Sequence, residues 1–139
     1  MNRAFLLPTV LSVTALSACG DSIVGDWDLQ SVTYDGMRYD YPNTETQNDG
    51  EYVITYTYAG ALSADSDGEV VFTQMYTYSS TDGTNYTENY SYVGTWTKGD
   101  GGSFELDFED DDLDMNCTIE DGDLECETAD FSVIFGAAE

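Results

Sequence analysis

The sequence has no histidine, and only three of its 139 residues are lysine or arginine. Without histidine there is no imidazole to act as a general base, to ligate zinc or to titrate near neutrality. Three cations cannot build the basic stripe that neutralises phosphates, which excludes nucleic acid as a partner. Proline occurs only at Pro8 and Pro42. The longest apolar run, Ala4 to Leu16, is broken by Pro8 and is too short to span a membrane. Beyond it no stretch sustains a 3.6-residue apolar repeat, so no long helix is expected. There is no Gly-x-Ser-x-Gly, and the only thiols are Cys19, Cys117 and Cys126. Acid is what the chain has in excess: 28 Asp and Glu give a formal charge of −25. Acids so numerous lie near one another by chance and select no general acid, so neither catalysis nor a cofactor is expected.

The first 18 residues read as a secretory leader, with Arg3 followed by the apolar run. They end in Leu16-Ser17-Ala18-Cys19, which resembles a bacterial lipobox. That resemblance implies cleavage before Cys19 and diacylation of its thiol. Residues 19–22 then form a lipidated tether, and 23–139 a single folded domain. Gly20 stands where an Asp would resemble an inner-membrane retention signal, so the implied location is the outer membrane, in a bacterial cell envelope. Two acyl chains, at ~0.8 kcal/mol per buried CH₂, anchor a protein stably where one is marginal.

Cys117 and Cys126 remain as a pair in an oxidising compartment. Between them lies Asp121-Gly122, a strong two-residue hairpin signal, because a type I′ turn needs positive φ at both positions. A turn centred there opposes 120 with 123, 119 with 124, 118 with 125, and Cys117 with Cys126. The alternation makes the cysteines a non-hydrogen-bonded pair, the closer kind, and predicts a structural disulfide.

Six Asp-Gly dipeptides punctuate the chain, at 35–36, 49–50, 67–68, 82–83, 100–101 and 121–122. The stretches between them alternate with a period of two, as in Tyr52-Ile54-Tyr56-Tyr58 and Phe104-Leu106-Phe108. Six turns give seven segments, and the longest divides at Glu109–Asp112 to make eight. An all-β fold follows: a single antiparallel up-and-down meander closing into an eight-stranded barrel, which leaves few exposed edges.

Gly25-Asp26-Trp27 carries the Gly-x-Trp that opens lipocalin-like domains, and Gly94-Thr95-Trp96 repeats it. With the lipobox, the tyrosine-rich meander and the final hairpin, the layout resembles the short lipocalin-like lipoproteins of bacteria. The resemblance implies a lipocalin-like barrel with Gly25 and Trp27 at its first strand and a small ligand held inside. Trp27 also reads simply as an aromatic plug at one barrel end. A three-residue loop at Thr81-Asp82-Gly83 opposes Tyr78 with Tyr86, Tyr76 with Glu88, and Gln74 with Tyr90. Gln74 and Glu88 are then the polar handles of a tyrosine-lined cup, with Tyr76, Tyr78 and Tyr90 as its stacking surfaces. Alternatively Glu88 sits at a rim and reaches water.

Trp96-Thr97-Lys98-Gly99-Asp100 resembles a stretch in the membrane-bound inhibitors of C-type lysozyme. That likeness implies a second reading, an inhibitor or interaction module whose acidic surface meets a basic protein. Asp65-Ser66-Asp67-Gly68-Glu69 begins like a calcium loop but lacks the Glu at its twelfth position, and reads as a polar hairpin loop with no metal site. Of the 28 acids, 15 fall between Asp100 and Glu139. Alternation places Glu105, Asp107 and Glu109 outward, and the next two strands add Asp114, Glu120, Asp123, Glu125 and Glu127 to the same face, a surface for divalent cations or a basic partner.

Overall fold

All six Asp-Gly dipeptides turn the chain between strands in the computed structural model, which describes residues 22–139. Asp35-Gly36 and Asp121-Gly122 have positive φ at both residues, the conformation that two-residue hairpins need. The strands are β1 (Gly25–Tyr34), β2 (Met37–Asp40), β3 (Asn43–Asn48), β4 (Val53–Ala64) and β5 (Glu69–Ser80), followed by β6 (Asn85–Lys98), β7 (Ser103–Phe108), β8 (Met115–Glu120), β9 (Asp123–Glu127) and β10 (Phe131–Ala137). Two short 3₁₀ turns, at Asp100–Gly102 and Asp111–Leu113, are the only helical elements among the described residues. Cys19 and the expected leader before it lie outside those residues.

From β4 to β10 each strand pairs antiparallel with the next. β10 pairs with β1, and Gly25–Asp28 of β1 pairs with Ala61–Ala64 of β4, closing an eight-stranded antiparallel barrel. Its staves are β1 and β4 to β10. They are not the eight segments counted from the turns. Residues 37–48 are no stave: they break at Tyr41-Pro42, where proline offers no N–H to a ladder. The stretch after Gly122, counted as one segment, folds back at Thr128-Ala129-Asp130 into two strands. Thr128 Oγ1 builds that turn by accepting from Asp130 N (3.2 Å) and Phe131 N (3.0 Å), without glycine or proline to announce it. One segment too many and one too few leave the total at eight.

The barrel closes at one end only. A bulge at Gln30 shifts the β1–β10 register between Leu29 and Ser31, so the inward-facing residues change from Trp27 and Leu29 to Val32 and Tyr34, of which Leu29, Val32 and Tyr34 line the cleft. Beyond the bulge β1 leaves β4 and pairs with β2, while β4 pairs with β3. β2 and β3 thus form a strap across the gap, tied by Tyr41 N donating to Gln30 O at 2.8 Å. β6 pairs with β7 only over Gly94–Lys98, and its edge from Asn85 to Tyr92 has no strand partner among the described residues.

The closed end is packed. Ile23, Trp27, Leu62, Phe72, Phe104, Leu106, Phe108, Leu124 and Phe135 are buried there. Phe72 and Phe135 meet edge to face, with centroids 5.8 Å apart. Trp27 fits the plug reading: its ring is buried, and Nε1 donates to Ile23 O at 2.8 Å. Cys117 and Cys126 lie opposite each other in the expected register, disulfide-bonded and fully buried, with Cα atoms 4.0 Å apart.

Candidate functional site

At the open end a cleft of about 740 Å³ lies between the strap and the inner faces of β1, β4, β5, β6 and β10. Its floor is apolar: Leu29, Val32, Phe72, Phe131 and Val133. Its walls are phenolic: Tyr34, Tyr39, Tyr41, Tyr58, Tyr76 and Tyr90. Asn43, Glu45 and Gln74 supply the polar groups. Strand alternation sets this arrangement, since Tyr39, Tyr41, Asn43 and Glu45 are every second residue along the strap. Gly60 faces the same way one step along β4 from Tyr58, and a side chain there would meet Leu29 at 2.8 Å, so glycine leaves the floor room.

Three of the five ligand candidates, Gln74, Tyr76 and Tyr90, line this cleft. The expected register holds throughout: Tyr78 opposes Tyr86, Tyr76 opposes Glu88, and Gln74 opposes Tyr90. Tyr78 sits farther out and belongs to a ring ladder instead, stacked on Tyr86 at 4.9 Å and edge-on to Tyr56 at 5.5 Å. The ladder continues through Tyr56–Tyr76 (6.0 Å) and Tyr58–Tyr76 (5.2 Å) into the cleft wall. Glu88 is outside the wall and exposed, in the rim position. It touches the site indirectly, because Tyr90 Oη donates to its Oε2 at 2.7 Å. The cup is therefore the mouth of the barrel rather than its interior.

The strap residues Tyr39, Tyr41, Asn43 and Glu45, and Tyr34 beyond the bulge, were missed by the sequence reading. Their period-two spacing was visible, but treating 37–48 as an ordinary stave hid their position over the cleft.

Loss of hydration, followed by the neighbouring phenols of Tyr86, Tyr58 and Tyr56, pushes Tyr76 up to about 12. Burial chiefly, and then Tyr58, Glu45 and Tyr39, raise Tyr41 above the usual phenol range. The Glu88 hydrogen bond and charge raise Tyr90. Tyr41, Tyr76 and Tyr90 thus stay neutral, protonated phenols at any physiological pH.

The acidic face runs over β7 to β9, with Glu105, Asp107, Glu125 and Glu127 exposed. Beside it carboxylate oxygens of Asp107, Asp111 and Asp114 lie within 4.8 Å of one another. Asp114 is already engaged, accepting from Phe108 N at 2.8 Å. At the other polar loop, Asp65 Oδ1 accepts from Asp67 N (3.0 Å) and Glu69 N (2.9 Å), which spends that carboxylate on the turn. In the 96–100 stretch, Trp96 Nε1 donates to Asp65 O at 2.8 Å and its ring packs edge-on to Phe104, which makes the tryptophan a structural element. The one ion pair among the described residues, Arg38 with Asp40 at 3.0 Å, is exposed.

Comparison with protein-family models, with curated proteins and with solved structures finds no match to this chain.

Proposed function

We propose that this chain is a non-enzymatic, lipid-anchored protein of the bacterial cell envelope that binds a small ligand with an apolar body in the tyrosine cleft. One observation carries the reading. In a protein whose closed end is filled by Trp and Phe, a cleft of about 740 Å³ stays open beneath a tyrosine wall, over an apolar floor in which Val32 and Phe131 are only half-buried. Clefts of about 300–1,000 Å³ with an apolar lining and a few convergent polar groups are the usual form of small-ligand sites. The lipobox and the Gly-x-Trp opening support the same reading, since both resemble the short lipocalin-like lipoproteins.

The test fills the cleft. Val32→Trp places an indole over the floor, at a half-buried position where added bulk meets open space. The parent should bind a neutral apolar dye such as Nile red saturably, and Val32→Trp should abolish that binding while the circular dichroism spectrum and the disulfide are retained. Equal dye binding by the two proteins would remove the cleft as the site. For the anchor, Cys19→Ser should abolish the acyl mass and release the protein from membranes; unchanged membrane fractionation would refute lipidation at Cys19.

A further inference from the structure

We propose that the ligand's polar end is a cation, so that the cleft receives an amphiphilic organic cation, an apolar body carrying an ammonium head. This rests on the cleft being the binding site and goes beyond it in assigning the ligand's charge.

The lining is segregated. Leu29, Phe72 and Val133 floor the cleft, whereas Tyr34, Tyr39 and Tyr90 stand at its mouth with 56%, 40% and 51% of their surface exposed. Ring faces carry the negative lobe of the aromatic quadrupole, and several converging on one space form the cage that binds alkylammonium groups. The only charged residue in the lining is Glu45. Neither cation among the described residues reaches it: Arg38 alternates away from Tyr39 and holds Asp40, and Lys98 ends β6 beside Phe104 of β7. An anionic ligand would meet Glu45, no compensating base and the field of a chain with 28 acids. A neutral ligand would leave the carboxylate unused.

Glu88 fits this scheme without touching the cleft. By accepting from Tyr90 Oη at 2.7 Å it draws the phenolic proton toward itself and makes the Tyr90 ring richer in electrons, which strengthens a cation–ring contact. Glu88 is therefore a positioning residue, and Glu45 a direct partner of the head group. Recognition is by ring faces and one carboxylate.

The experiment compares three probes of similar body and different charge on the full-length protein: benzyltrimethylammonium, benzyl alcohol and benzenesulfonate, by calorimetric titration at 0.1 M NaCl. Benzyltrimethylammonium should bind at least about tenfold more tightly than benzyl alcohol, and benzenesulfonate should not bind. Glu45→Gln and Glu88→Gln should each weaken the ammonium probe several-fold and leave benzyl alcohol unchanged, a split that a folding defect would not produce. Equal affinity for the alcohol and the ammonium would overturn the cation assignment while leaving the cleft as a ligand site. Failure of both to bind, with Nile red also unbound, would overturn the site itself.

Discussion

The two sides of this barrel follow the same alternation with different residues and end in different states. In β7 to β10 the inward residues Phe104, Leu106, Phe108, Met115, Cys117, Leu124, Cys126, Val133 and Phe135 are buried, with Ile119 and Phe131 half-buried, and the outward positions of β7 to β9 are rich in carboxylates. In the outer halves of β4 to β6 the inward positions are Tyr56, Tyr58, Tyr76, Tyr78 and Tyr86, which are half-buried or exposed. Among their outward positions hydroxyls pair across strands, as Thr44 of β3 with Thr57 (3.4 Å), Thr73 with Ser91 (3.3 Å) and Thr77 with Thr87 (3.3 Å). An aliphatic inner face must be covered, and the sheet closes over it. A tyrosine face tolerates water at its phenols, so the sheet can splay and leave a cleft.

Substitutions should separate the two sides. The largest effect is expected at the packed side, where Phe135→Ala should cost about 3–5 kcal/mol. Tyr90→Leu on the open side should change stability by no more than about 0.5 kcal/mol. Urea unfolding of both variants checks the contrast, and similar losses would erase it. Next, replacing both Cys117 and Cys126 by serine should cost about 2–3 kcal/mol, as expected for the short loop they close, with the ring ladder left intact. Near-ultraviolet circular dichroism of the tyrosines would report that sparing.

Salt acts on the acidic wall. Screening its like charges, crowded most at Asp107, Asp111 and Asp114, should stabilise the fold by about 1 kcal/mol, or roughly 4 °C in Tm, between 0.1 and 1 M NaCl. A melting temperature flat across that range would mean the wall is merely solvated. The smallest effect belongs to the tyrosines. With Tyr76 raised to about 12, the folded state keeps a proton that the unfolded chain releases near pH 10. Its contribution to stability is therefore complete below pH 10 and is lost as pH rises toward about 12. Tyrosinate absorbance of the parent should show a phenol titrating near pH 12 that is missing in Tyr76→Phe, while the other raised phenols, Tyr41 and Tyr90, remain.

The packed side was legible in the sequence because two signals agreed there: Asp121-Gly122 and the cysteine spacing select one register, and one register selects every inward residue. The β5–β6 register was equally legible, since Gly83 takes the left-handed position that the three-residue loop requires. The mouth was not. The Gln30 bulge has no marker in the sequence, although a single extra residue changes which side chains face the cleft. The strap depends on where β1 and β4 part, a long-range fact that local alternation does not contain. Thr128 makes a turn that Asp-Gly counting passes over. For these reasons the tyrosine cup was anticipated in chemistry and in three of its residues, and its place at the open end was not.

Site-resolved amide hydrogen exchange tests the division into a packed and an open side most directly. Along β6, Ser80 N donates to Thr84 O and Trp96 N to Gly68 O, while Val93 O accepts from Glu109 N, which turns odd-numbered residues toward the free edge and even-numbered ones toward β5. Amides of Asn85, Thr87, Asn89 and Ser91 should therefore exchange fast. Those of Tyr86, Glu88, Tyr90 and Tyr92 should be protected, and the amides of Cys117, Leu124 and Phe135 should be the slowest of all. Uniform protection along β6, or faster exchange in β8 to β10 than in β5 and β6, would contradict a barrel that is packed on one side and open on the other.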